Sequence, residues 1–246
     1  MSGRLAALAL GLAVTVSAAP PADAQTGPTR QSGRSSSTQG VHTPDIRRRG
    51  TQAEFQREFD ARRLTNDASS AAALHEGALT IAECIARRSG DRASSYLGGG
   101  LVGDPDYERI SDALTGRMQS CAREEASATA IAISGALAEQ LLAAKPPQVQ
   151  DRAQAVNEDV AHRFFGELTG AVTFDNIAGC VAVYSPGLAY KVLQAPVASE
   201  AETAALQEVY KQTPECGITA PPQAIPQLYQ RGALATALYK WTNPDA

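Results

Sequence analysis

Long hydrophobic runs are scarce in this chain of 246 residues, and so are aromatics, which make up 5% of it. Beyond the N-terminal leader no stretch approaches ~18 uninterrupted apolar residues, so nothing else reads as a membrane helix. β-Branched alternation is thin and alanine abundant, which moves the expectation away from sheet and toward helix. No C-x-x-C pair occurs, which argues against thiol redox chemistry and against a four-thiolate metal centre, since both need short spacings. No G-x-S-x-G occurs either. The histidines number three, and "HEGAL" at 75–79 begins like a zincin helix but has no second histidine one turn on. His42 lies in a polar stretch, and His162 with Glu158 reads as a surface pair. The net charge is −4, and no nucleic-acid partner is expected. Nothing remains that signals a catalytic, metal or phosphate site, so no cofactor is expected and enzyme activity is unsupported.

The leader is the first positive feature. Arg4 is followed by an apolar run over residues 5–16 and then by Ala22-Asp23-Ala24 before Gln25, the order of a secretory signal peptide cleaved after Ala24. Residues 25–50, "QTGPTRQSGRSSSTQGVHTPDIRRRG", have almost no apolar surface to bury and read as a disordered arm. Five arginines against one aspartate give the arm +4; with a neutral leader and −4 over the whole chain, residues 51–246 carry −8. Such an arm either touches an anionic surface or serves as a tether, and the tether is the expectation.

The body repeats itself. "IAECIARRSGDRASSYL" (81–97) and "IAGCVAVYSPGLAYKVL" (177–193) share seven of seventeen residues without a gap. Cys121 then meets Cys216, and "SGALAEQLL" (134–142) meets "RGALATALY" (231–239). Three matches in one order indicate a duplicated unit, so 51–145 and 146–246 are taken as two helical repeats forming one pseudo-symmetric, all-α domain. In the first repeat Leu74, Ala78, Ile81 and Ile85 form an apolar stripe, matched by Phe174, Ile177 and Val181. Ser89 and Ser185 fit helix N-caps, with Pro186 at the first helical position. A third helix carries Tyr107, Ile110, Leu114, Met118 and Cys121. Helices are also expected over 147–169, between Pro147 and Gly170, and over 51–64.

In the fourth helix of each repeat, Gly135 and Ala138 match Gly232 and Ala235. Glycine inside a helix costs roughly 1 kcal/mol against alanine, so its recurrence points to a close helix crossing, with a ligand lying on bare backbone as the other reading. "GGGLVG" (98–103) fits the dinucleotide glycine spacing, but a helix precedes it where a strand is required, and the aligned "QAPVASEA" has no glycine. A flexible interhelical loop is expected there.

Four cysteines in an exported chain imply two disulfides. Three connectivities are open, and the duplication selects Cys84–Cys121 with Cys180–Cys216. Tyr184, Tyr190, Tyr229, Tyr239 and Trp241 concentrate in the second repeat, where they either complete a smaller core or line a recognition surface.

The paired "IAxC…C…GALAxxL" units resemble a type of exported alphaproteobacterial protein to which no activity is attached. The resemblance covers about residues 74–241 and implies a periplasmic address. The expectation is a non-enzymatic binding or structural module of the cell envelope, with an envelope protein or an anionic surface as partner. The alternatives are a small-molecule carrier with its site between the repeats, and a hydrolase with an unrecognised site.

Overall fold

The computed structural model describes residues 67–98, 105–122, 128–170 and 172–245, except for the side chains of residues 105–108; all lie within the unit Asp45–Ala246. The leader, the arm, the helix expected over 51–64 and the loop beyond Gly98 fall outside the described residues. Among the described residues there are eight α-helices and no strand. They are α1 (Ala68–Ser89), α2 (Pro105–Thr115), α3 (Ala130–Ala144), α4 (Glu158–Phe165), α5 (Phe174–Tyr184), α6 (Pro186–Gln194), α7 (Glu200–Lys211) and α8 (Gln227–Thr242). Short 3-10 segments at Gly90–Tyr96, Gln119–Cys121 and Pro214–Cys216 complete the chain path.

Side-chain caps set five of the helix starts. Asp67, Thr129, Asn157, Thr173 and Ser199 each accept a first-turn backbone N–H, worth about 1 kcal/mol apiece. The helices pack through their apolar stripes. Leu74, Ala78, Ile81 and Ile85 of α1 are all buried, α1 packs on α3, α3 crosses α8, and α5 also packs on α8.

The crossing of α3 and α8 is made by glycine. A Cβ placed on Gly135 would sit 2.5 Å from the Cα of Gly232, a distance no side chain tolerates. Ala138 and Ala235 are fully buried at the same contact, so the absence of side-chain bulk is what lets the two backbones meet.

Both disulfides join the expected partners, Cys84 to Cys121 and Cys180 to Cys216, with Cα separations of 5.6 and 5.7 Å. Each ties a helix (α1 or α5) to the 3-10 segment that follows α2 or α7. Loops of 37 and 36 residues place each bridge at about 4 kcal/mol in the chain-entropy model.

Three expectations are corrected. The helix over 147–169 is confined to α4, because residues 150–153 spend their backbone groups on the α5–α6 junction. Gly187 N donates to Gln150 O at 2.9 Å and Ala153 N to Tyr184 O at 3.0 Å, and a Cβ on Gly187 would lie 2.5 Å from Gln150 O. The third helix ends at Thr115, ahead of Gly116, so Met118 and Cys121 reach the core from a turn and a 3-10 segment. Ser89 and Ser185 hold N-cap positions without capping. The Ser185 hydroxyl is instead 2.6 Å from that of Thr213 and accepts from Arg152 at 3.1 Å.

Candidate functional site

One face of α8 lines a cavity of about 250 Å³. Tyr229, Gly232, Ala233, Thr236, Ala237 and Lys240 recur at helical spacing along it, the period that puts residues on a single face. Ile131 and Ser134 of α3 form the opposite wall, with Phe164 of α4 and Phe174, Asp175 and Gly179 of α5 to one side. Gly98 and the segment Ala224–Pro226 also line it. The lining is mostly apolar, and its polar members are few.

The polar positions of this cavity are largely occupied. The Ser134 hydroxyl accepts from Gly98 N at 2.9 Å and donates to Gly98 O at 3.3 Å. Asp175, Tyr229 and Lys240 each have a partner. Trp241, the chain's one tryptophan, packs its ring 5.1 Å from that of Phe164, so it is one residue removed from the cavity wall.

On the other side of the α3–α8 crossing the equivalent space is filled by charge. Arg231, which aligns with Ser134 in the repeated phrases, is 3% exposed. Its Nε and Nη2 donate to the two Glu139 carboxylate oxygens at 2.9 and 2.8 Å. Its Nη1 donates to Glu202 at 3.2 Å and to the Val192 and Ala195 carbonyls at 2.8 and 2.9 Å, while Nη2 also reaches Leu193 O at 2.6 Å. The guanidinium thus satisfies the open carbonyls at the end of α6 and binds two carboxylates. Glu202 is held in turn by the N–H of Ala198, whose φ of 57° is left-handed backbone, at 2.7 Å.

Titration in this cluster is strongly perturbed. Burial, reinforced by the Arg231 charge, lowers the His75 imidazole to about 4, although its Nε2 is 3.5 Å from Glu139. Burial raises the Glu139 carboxyl, and its hydrogen bond to Arg231 opposes that rise. For Arg231, burial works to lower the value and the bonds to Glu139 and Glu202 outweigh it. A smaller space of about 190 Å³ remains beside Glu139, lined by Leu79, Gln140, Tyr190 and Leu193 among others. A third, more polar cavity of about 440 Å³ lies over Glu202, Gln230 and Pro221–Pro222.

The aromatic residues singled out from the sequence are dispersed. Tyr229 lines the apolar cavity and Tyr190 the small space beside Glu139. Tyr184 donates to Glu158 at 2.7 Å, which holds its hydroxyl up to about 12. Tyr239 is half-buried against the core, and Trp241 stacks on Phe164. His162 lies 3.8 Å from Glu158 with both side chains largely exposed, the surface pair expected.

Periodicity alone passes over Arg231, Glu139 and Glu202, because a charged side chain on a helix is read as solvated. The signal was in the aligned phrases: they differ at two positions by a cation and an anion, each facing a hydroxyl residue in the other copy. Phe164 and Gly179 carried no comparable mark. No family model, curated protein or solved structure matches the chain.

Among the described residues no group of three or more metal-ligating side chains is brought together, and no helix is long and apolar enough to cross a membrane. Two disulfides and no free cysteine among the described residues support residence outside the cytoplasm.

Proposed function

We propose that the protein is an exported, non-enzymatic binding module that holds a small molecule in the cavity between α3, α5 and α8. The observation that carries this reading is the cavity itself: a mostly apolar space at the helix crossing, with a few polar groups at its margin, which is the usual form of a ligand site. Its position matches the carrier alternative raised by the sequence, in which the glycine-bearing helices meet. The signal-peptide pattern, the disulfides and the resemblance to exported alphaproteobacterial proteins support a periplasmic address. On this reading the basic arm, residues 25–50, is a tether for the binding domain.

Native mass spectrometry of the protein purified from its own exported fraction tests the proposal. The expected spectrum shows the chain four hydrogens below its reduced mass, as two disulfides require, with a stoichiometric small adduct. The adduct is lost in Ala237→Leu, which fills the cavity from α8. An adduct that survives this substitution would place the ligand elsewhere.

A further inference from the structure

We propose that the ligand is an uncharged aromatic molecule of one or two rings, and that Ser134 and Thr236 are the residues that select it. This rests on the binding reading above and narrows it to a chemical class.

The two sides of the α3–α8 crossing share a backbone pattern and differ in what stands on it. In the phrases aligned at an offset of 97, Ser134 faces Arg231 and Thr236 faces Glu139. Arg231 and Glu139 meet as a bidentate pair, with about 190 Å³ open beside Glu139 and a more polar space of about 440 Å³ over Glu202. Ser134 and Thr236 are too short to meet, and about 250 Å³ stands open. Ser134 and Thr236 thus leave the apolar cavity open at the positions that the ion pair takes in the aligned phrase.

Charge is disfavoured in the open space. Ser134 is committed to Gly98 through both its donor and its acceptor. Asp175 and Lys240 have opposite signs and each already has a partner, so the lining carries no net charge of one sign. A charged ligand would lose hydration with little to replace it. Arg231 tolerates burial on its side because Glu139, Glu202 and three carbonyls receive it.

Shape favours rings. The rings of Phe164 and Phe174 supply flat surfaces, against which an aromatic ring stacks or packs edge-on. A flexible chain of equal volume gives up rotational freedom on entering. As to size, a dry cavity of about 150 Å³ accepts one benzene ring, so this one has room for a substituted ring or two fused rings.

Titration calorimetry on the full chain with both disulfides formed tests the class, using 2-naphthol, 2-naphthoate, 2-naphthylmethylammonium and 1-octanol as probes. Naphthol is expected to bind one site, at least tenfold more tightly than either charged naphthalene and at least fivefold more tightly than octanol. If a charged probe or octanol binds as well as naphthol, the ligand class is overturned while the cavity remains a binding site. If none of the four binds, the binding reading falls and this inference with it.

The double variant Ser134→Arg/Thr236→Glu transplants the ion pair and is expected to weaken naphthol at least a hundredfold. Unchanged affinity in a folded double variant would remove the role given to these two residues. Should that variant fail to fold, Ser134→Gln and Thr236→Gln, which narrow the same space without charge, are each expected to weaken naphthol at least tenfold, and unchanged affinity in both would have the same consequence.

Discussion

The two sides of the α3–α8 crossing solve one packing problem in opposite ways. Beside α6, a buried arginine receives two carboxylates and the carbonyls that end the helix. Beside the 3-10 segment Gly90–Tyr96, a serine makes two hydrogen bonds to Gly98 and leaves a cavity. In each case the residue just before the crossing glycine fastens its helix to the end of the helical segment that follows a disulfide-bearing helix, Ser134 of α3 to Gly98 beyond the 3-10 segment and Arg231 of α8 to the end of α6. Backbone geometry at the crossing is set by Gly135 and Gly232, while the character of the flanking space depends on a few side chains near it.

The closed side should fail most severely when its cation is removed. Arg231→Met leaves Glu139 and Glu202 buried without their partner, and breaking a buried pair from one side costs about 3–5 kcal/mol. Urea denaturation should show that loss directly. Combining Arg231→Met with Glu139→Leu should recover a large part of it, since the uncompensated charge is then reduced to Glu202. A double variant no more stable than the single one would show that Arg231 acts mainly through the α6 carbonyls.

The next effect belongs to pH and to the closed side alone. His75 titrates near 4 in the folded protein against an ordinary 6.5, the lowering coming from burial and then from Arg231. Its folded state binds the proton less readily than its unfolded state, so stability is lost as pH falls from about 6.5 toward 4 and is flat above that window. The full loss is about 3 kcal/mol, at 1.36 kcal/mol per unit. Glu139 has the opposite sign: its value is raised by burial, so its protonation as pH falls returns stability and makes the slope shallower. The groups facing His75 in this cluster are Glu139 and, through it, Arg231 and Glu202. Denaturation midpoints between pH 7 and 5 should therefore fall, and His75→Gln should abolish most of the fall while Ser134→Ala leaves it in place. A wild-type midpoint that is constant over this range would contradict a buried neutral His75.

Much of the fold follows from elementary patterns. The stripe Leu74, Ala78, Ile81 and Ile85 is buried as its spacing requires, and the disulfide pairing follows from aligning the two halves by their cysteines. The expectation over 147–169 failed for a physical reason: Gly187 offers a bare backbone face to residues 150 and 151, and the hydrogen bonds made there replace those of a helix. Arg231 was hidden for another reason. Its partners Glu139 and Glu202 lie 92 and 29 residues away, so no local rule could mark it as buried. Ser134 and Thr236 were visible as residues of the aligned phrases, but their importance comes from being small where their counterparts are large and charged. That contrast has meaning once the crossing places both phrases in contact.

The mildest perturbation tests the fastening role of the open side. Ser134→Ala removes a hydroxyl that is 3% exposed together with its residue and leaves Gly98 N without the acceptor now 2.9 Å away. A neutral hydrogen bond of this kind contributes about 1 kcal/mol, with an added cost for a stranded donor, so the loss should be near 1 kcal/mol and well below that of Arg231→Met. A loss from Ser134→Ala approaching that of Arg231→Met would mean that the cavity side depends on its single serine as strongly as the closed side depends on its ion pair, and the space beside it would then be held open by a rigid latch. A loss near the expected value would mean that the helices keep this arrangement mainly through the glycine crossing, leaving Ser134 free to be exchanged for larger residues in the cavity-filling variants without loss of the fold.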